Sequence, residues 1–549
     1  MKNLKIGLLV DSLDLDDFNS EVYSNIQKNN FCSIDAIIIN NKISKKKKIF
    51  NVFNKYSIFR IIEKIIFKII FLFEKFFLYN LFNKYNFSKI NLEEIDCKKI
   101  YVNQIVSKKD IYFEYNSRDL EQIKDQNLDL IIRMGAGIIK GKILDIPKHG
   151  ILSFHHGDSD IIRGGPPGFW EVYLKKPTTG FIIQRLNNNL DSGDVLFKGS
   201  FTTMLFYYQN QKFVHKQSAK YIENVLKRIS TKKNLIIRNK VYYNRIFKDP
   251  NIIQIIIYLF RTYSSIIYKM IRKIFFFKKD VWQIAFKKGK FNEYRLNQYH
   301  IIESKSGYLA DPFLYKKNNI NYLFVEEFDF RKKKGLISCF KIDSNRYNYI
   351  GKVLEENFHL SFPYIFSYDG EIYMCPETSA KKEIRLYRCV NFPLKWEFKK
   401  TIIENISAVD TLIFQKEGRW WLITNTDQNE IEHASELNIF YSDMGPLTNR
   451  WIAHKSNPIY VDPLKARNGG LICDNGILYR VVQKIGFNSY GKTFDINKIS
   501  ILNEELFEEK FFSSVKPNFL SNIDGTHHMN NNEDFTVFDF YKKKYFSIK

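Results

Sequence analysis

Ile151-Leu152-Ser153-Phe154-His155-His156-Gly157-Asp158, followed by Arg163-Gly164-Gly165-Pro166-Pro167-Gly168, is the densest run of chemistry-bearing residues in the chain. It closes an apolar stretch, so its polar side chains are expected at the C-terminal end of a strand, the edge at which open α/β sheets bind ligands. Upstream, Leu4 to Val10, Asp35 to Ile39 and Leu128-Asp129-Leu130-Ile131-Ile132-Arg133-Met134 read as buried parallel strands. Gly135, Ala136 and Gly137 follow as a loop of small residues that lets backbone approach a ligand. Downstream, the strand pattern Gly180-Phe181-Ile182-Ile183-Gln184-Arg185-Leu186 leads into Asn187-Asn188-Asn189-Leu190-Asp191-Ser192-Gly193-Asp194, a polar loop ending in a carboxylate. Apolar runs alternate with polar helical stretches throughout residues 1–245, the rhythm of an α/β domain.

Three of these motifs together resemble the formyltransferase family, which includes methionyl-tRNA, glycinamide-ribonucleotide and amino-sugar N-formyltransferases. That family has an Asn-x-His strand end, an Arg-Gly pair and a Leu-Asp-Thr/Ser-Gly-Asp loop. Here His155 falls on the family histidine, Arg163-Gly164 on the Arg-Gly pair and Asp194 on the aspartate, while Ser153 replaces the asparagine. The resemblance implies a Rossmann-like fold, 10-formyltetrahydrofolate as formyl donor, and His155, Asp194 and Ser153 as catalytic residues. It further implies folate contacts from Arg133, Met134, Gly135, Ala136, Gly137, Asn188, Asn189 and Leu190, and acceptor contacts from His156, Arg163 and Gly164. In such a site an imidazolium paired with a carboxylate would stabilise the oxyanion or relay the amine's proton. No metal site is expected, because His155, His156 and Asp158 are too close on an extended strand to converge on an ion.

Residues 44–90 interrupt this domain with Lys45-Lys46-Lys47-Lys48 and an Ile/Phe-rich helical pattern. Glu63, Lys64, Lys68, Glu74 and Lys75 fall on one arc of about 140° at helical spacing. Residues 246–290 read as a helical linker, with Arg261, Lys269, Arg272 and Lys273 on one cationic face. Both helices either pack on protein or lie on a membrane surface, and peripheral contact is favoured over a span.

From about residue 291 to 549 the pattern changes to Tyr-, Phe- and Trp-rich strands with Asp-Gly, Glu-Gly and Asn-Gly turns. A two-strand unit recurs at roughly 50-residue intervals, the mark of an all-β propeller of about five blades. Its copies open at Leu309-Ala310-Asp311-Pro312, Ser361-Phe362-Pro363, Ala408-Val409-Asp410-Thr411, Arg467-Asn468-Gly469-Gly470 and Gly525-Thr526-His527-His528. These openings resemble the five-bladed arabinanase, invertase and levansucrase-type glycoside hydrolases, and the N-terminal module of glucosamine inositolphosphorylceramide transferases. The likeness implies carbohydrate contacts from Asp311, Glu377, Asp410, Arg467 and His527. Arg467 stands where the hydrolases carry their acid, which favours binding over cleavage.

The composition agrees with folded domains rather than disorder: 45% hydrophobic, 16% aromatic, over 549 residues. The net charge of +25 is dispersed among apolar faces, so nucleic-acid binding is not expected. Six scattered cysteines without a Cys-x-x-Cys pair point to a reducing compartment. No secretory signal is read at the N-terminus. The joint expectation is a cytoplasmic N-formyltransferase, peripheral at the inner membrane face, acting on an aminosugar in surface-glycan synthesis. The alternative is a carbohydrate-binding or carbohydrate-active propeller protein whose formyltransferase fold is inactive.

Overall fold

The computed structural model describes residues 3–41, 57–79, 89–106, 112–135, 137–188, 193–231, 245–275, 278–293, 299–304, 307–344 and 346–545. The chain forms two compact units, Met1–Ser264 and Ser265–Lys549.

The first unit is built on a seven-stranded sheet. Its spatial order is Asp194–Thr202, Thr178–Arg185, Ile151–His155, Leu130–Arg133, Leu4–Val10, Cys32–Asn40 and Lys98–Val102. The last five run parallel, and the first two are antiparallel additions at one edge. The parallel strands are apolar without alternation because both faces are covered; Ile6, Leu8, Ile131 and Ile151 are all fully buried. Gly7 has a packing reason, since a Cβ there would lie 2.6 Å from Leu128. After Leu4–Val10 the chain turns into helix Asp17–Gln27, whose first turn is capped by the Asp16 carboxylate accepting from Asn19 N–H at 2.8 Å.

The interruption expected over 44–90 contains helix Ile58–Tyr79, the rest of that segment lying partly outside the described residues. The linker expected over 246–290 divides differently. Ile252–Phe275 is helical, but Lys278–Lys288 is a strand that pairs along its length with Phe535–Tyr545 near the chain's end. No local period announces a strand whose partner lies some 250 residues away.

The second unit contains five antiparallel sheets among the described residues. Each hairpin recognised in the sequence is present: Gly307–Lys317 with Ile320–Asp329, Ser361–Tyr368 with Glu371–Glu377, Ala408–Lys416 with Arg419–Thr426, Asn468–Asp474 with Ile477–Gly486, and Met529–Asn531 with Phe535–Tyr545. Two-residue turns close the first four. Asn318-Asn319, Asp369-Gly370, Glu417-Gly418 and Asn475-Gly476 have positive φ at both positions, the geometry whose twist matches paired strands. The opening strands of successive sheets pack side by side: Gly307–Lys317 on Ser361–Tyr368, that strand on Ala408–Lys416, that on Asn468–Asp474, and that on Met529–Asn531, which lies back against Gly307–Lys317.

Every opening strand of the first four sheets carries a bulge at the same place: between Ala310 and Phe313, Ser361 and Tyr364, Val409 and Leu412, and Asn468 and Leu471. Asp311, Phe362 and Asp410 sit in these bulges at φ of 50°, 48° and 51°. Such backbone is uncommon for residues with a Cβ and re-aims the side chain out of the pleat.

Candidate functional sites

In the first unit a cavity of 720 Å³ opens over the C-terminal ends of Leu4–Val10, Leu130–Arg133 and Ile151–His155. Ser153, buried on its strand, receives a hydrogen bond from Arg133 Nη1 at 2.9 Å. Burial lowers the Arg133 pKa, and the nearby Asp11 carboxylate works in the opposite direction. Asp11 accepts from Asn40 Nδ2 at 2.8 Å, and Asn40 in turn accepts from the Tyr115 hydroxyl at 2.9 Å. Gly135 is required here, because a Cβ would come within 2.7 Å of the Asp11 carboxylate.

His156 forms one wall. Its ring packs edge-on to Phe18 at 4.6 Å and against His215 at 4.3 Å, and Nε2 lies 3.2 Å from Ser218 Oγ. Burial, with His215 and His155 adding to it, holds the His156 pKa well below 6.5. Burial likewise pushes His215 down to about 3. Both rings are therefore neutral at physiological pH.

Of the residues expected at this site, Arg133, Met134, Gly135, Ser153 and His156 line the cavity. His155, Gly137, Asn188, Arg163, Gly164 and Asp194 are not among its lining. Arg163–Gly164 pairs with Ile246–Phe247 as a short parallel ladder, and Asn188 Oδ1 accepts from Gly141 N–H at 3.0 Å. Ala136, Asn189 and Leu190 lie outside the described residues.

The expected His155–Asp194 pair needs correction. Asp194 is opposite Arg185 in the ladder and takes its guanidinium at 2.6 and 3.1 Å. His155 lies two strands away and three rows along, opposite Ile182. Sequence reading missed Asp11, Asn19, Lys212 and His215 as cavity residues. Asp11 and Asn19 were findable, because the first βα turn of a doubly wound sheet lies at its ligand-binding edge.

In the second unit a cluster of buried ionisable groups gathers around the bulges. Asp539 accepts from the backbone N–H of His527 and His528 at 3.0 and 2.9 Å and from that of Asp311 at 3.2 Å. His527 Nδ1 lies 2.7 Å from Asp539, and its Nε2 lies 3.5 Å from Asp311. Asp410 is paired with Arg467 and accepts from Gln483 at 3.2 Å. Trp282 covers His527 with ring centres 4.1 Å apart.

Burial, with Asp410, Asp539 and Glu377 opposing His527, drives the Asp311 carboxyl up to about 8. Burial also raises Asp410 to about 6, against the pull of Arg467. Burial alone would lower His527, but Asp539 and Asp311 outweigh it and its pKa rises. The His527 ring is thus held between the Asp539 carboxylate and the raised Asp311 carboxyl. Asp311, His527 and Asp539 also offer ligand atoms within 4.8 Å of one another, a set able to hold a metal ion. The sequence reading expected no metal and missed Asp539, which lies on the closing strand far from Asp311. The structure brings Asp311, Asp410, Arg467 and His527 together. Glu377 adds its charge to the same field, its Oε1 accepting from Ser379 at 2.9 Å.

Residues 297–532 match the family described as glucosamine inositolphosphorylceramide transferase 1, N-terminal. The chain is 41% identical over 210 residues to glucosamine inositolphosphorylceramide transferase 1 of Arabidopsis thaliana, covering 37% of this chain and 27% of that protein. It is 39% identical over 212 residues to the Oryza sativa subsp. japonica protein of that name, covering 37% and 28%. It is also 32% identical over 80 residues to the methionyl-tRNA formyltransferase of Clostridium perfringens, covering 14% and 26%. The chain thus spans about a quarter of each of these relatives.

Among solved structures, glycinamide ribonucleotide transformylase 1 from Symbiobacterium toebii aligns over 45% of this chain and 95% of its own, at 9% identity and a TM-score of 0.30. The α-L-arabinofuranosidase PaAbf62A from Podospora anserina aligns over 48% and 97%, at 10% identity and a TM-score of 0.31. The chain is thus similar, over residues 297–532, to the N-terminal family of glucosamine inositolphosphorylceramide transferase 1 and, over a shorter stretch, to methionyl-tRNA formyltransferases.

Proposed function

We propose that the chain transfers a formyl group from 10-formyltetrahydrofolate to the amine of an aminosugar, nucleotide-linked or lipid-linked, in surface-glycan synthesis. The observation that carries this reading is the cavity in which Arg133 and Ser153 meet Asp11 at the ends of parallel strands. Its volume lies in the range of small-molecule sites, about 300–1,000 Å³. Apolar walls from Leu15, Phe18, Met134 and Phe154 suit a flat ring system, and Arg133 suits an anionic group beside it. The donor supplies an activated formyl carbon.

Formyl transfer develops negative charge on the carbonyl oxygen as nitrogen attacks. Ser153 Oγ accepts from Arg133 and donates to the Phe154 carbonyl at 3.3 Å, a long bond that it exchanges for one to the developing oxyanion, with the guanidinium adding positive field in a partly desolvated site. The carboxylates of Asp11 and Asp14, both lining the cavity, hold the amine by its N–H groups. His155, on the same strand face as Ser153 though outside the cavity lining, relays the proton the amine loses to the donor nitrogen, whose bond to the formyl carbon breaks as tetrahydrofolate leaves. The five sheets of the second unit are read as blades of a propeller whose axial Asp311, Asp410, Arg467 and His527 bind sugar hydroxyls. The reading keeps the reaction in the cytoplasm.

The test is a formyl-transfer screen over nucleotide-linked aminosugars, read by mass spectrometry. Product that disappears in Ser153→Ala and His155→Ala supports the reading; full activity in both variants overturns it. One observation favours a second reading, in which the second unit acts on or binds glycans and the first is inactive. Asp311 at about 8 beside Asp410 at about 6 is the paired acid and base that glycosyl chemistry uses. That reading predicts glycan cleavage or transfer lost in Asp311→Asn, with no dependence on folate.

A further inference from the structure

Helix Ile58–Tyr79 is mounted with its carboxylates inward and a broad apolar arc outward. Glu63 accepts from Arg60 at 2.6 Å and from the backbone N–H of Ile252 at 2.8 Å. Glu74 accepts from Tyr208 N–H at 2.8 Å and from the Tyr258 hydroxyl. Between them Phe67 packs on Phe169 at 5.0 Å and on Tyr207 at 5.4 Å. On the opposite arc Ile62, Ile65, Ile69, Phe73 and Phe76 are exposed, Phe76 to 85%.

Helix Ile252–Phe275 repeats the arrangement. It buries Ile255, Tyr258 and Thr262, and exposes Ile253, Ile256 and Phe260, the last to 73%. Tyr258 rests on Phe169 at 5.2 Å, the ring that also receives Phe67. Both helices therefore bury toward one layer, and their apolar arcs face away from it together. A helix covering a globular core normally does the reverse.

We propose that these two arcs are a docking surface for an anionic lipid bilayer, lying at headgroup depth. Lys68 and Lys75 fall along one edge of the first arc at 100° per residue, beside Lys64, which is paired with Asp249 at 3.0 Å, and Arg261 is exposed at the edge of the second. Both carboxylates of the first helix are buried, so the outward surface is apolar with a cationic border. That border suits anionic headgroups, with the lysine stems laid along the acyl boundary. No described helix is long and apolar enough to cross a membrane, which leaves the interfacial arrangement. A protein partner would meet a surface poor in the hydrogen-bonding groups that interfaces use. The inference stands apart from the formyl-transfer reading.

The experiment floats the full chain with vesicles of phosphatidylcholine and phosphatidylglycerol, and with phosphatidylcholine alone. The wild type is expected to rise with the anionic vesicles, and F73S/F76S/F260S to lose at least about tenfold in bound fraction. The circular dichroism melt of that variant should be unchanged, because all three side chains are exposed. Four results overturn the proposal: wild type that stays unbound, a variant that floats as well as wild type, equal flotation on neutral vesicles, or a vesicle-independent dimer that the variant dissolves.

Discussion

Arg185 and Asp194 hold paired positions on adjacent antiparallel strands, so their side chains share one face of the sheet and the guanidinium closes on the carboxylate. A charge-assisted pair of this kind, partly buried, contributes about 1–2 kcal/mol. Asp194→Asn is expected to lose that much in urea unfolding, with turnover per folded molecule little changed. Ser153→Ala should do the opposite, cutting turnover roughly 10- to 100-fold with the melt nearly intact. His215 sets a pH response. Its folded pKa of about 3 lies below the unfolded 6.5, so the unfolded chain binds more protons between those values. Stability present above pH 6.5 is lost as pH falls through that window. The loss should be visible in melts at descending pH and reduced in His215→Phe.

At the scale of elements, Glu74 ties helix Ile58–Tyr79 to Tyr208 and Tyr258. Burial lifts its pKa to about 7, so between pH 4.5 and 7 the folded state holds more protons than the unfolded one. Its contribution is largest at low pH and declines as pH rises through 7. Glu74→Gln, which keeps the shape of the protonated acid, should flatten that slope in melts at pH 5 and 8. In the second unit, Arg480 is fully buried on strand Ile477–Gly486 and pairs with Glu509 at 2.8 Å while donating to the carbonyls of Lys465 and Ala466. Removing one partner of such a pair leaves an uncompensated charge, so Arg480→Ala should cost about 3–5 kcal/mol by chemical denaturation.

These elements also show what sequence pattern can convey. The first four hairpins were legible because turn residues with positive φ and flanking aromatic strands act over a few residues. The inward placement of Glu63 and Glu74 was not. Periodicity sorts side chains onto arcs, but which arc meets protein depends on the partners that the rest of the fold presents, here Tyr208, Tyr258 and the N–H of Ile252.

Across the whole molecule, the second unit is closed by its two ends: Lys278–Lys288 pairs with Phe535–Tyr545, and Met529–Asn531 joins the same sheet. Truncation after residue 531 removes the strand between them and should abolish the folding of that unit, while calorimetry still shows the transition of the first unit. From composition, period and motif alone came the α/β character of the first unit, the repeated hairpins of the second, and the strands on which Ser153 and Asp311 stand, because each rests on contacts short in sequence. Tertiary structure decided the rest. It gave Asp194 to Arg185, gathered Asp539 and His527 around Asp311, turned a linker into a closing strand, and set two apolar helix faces outward. Each of these depends on groups far apart in the chain, whose meeting is governed by packing and desolvation rather than by local pattern.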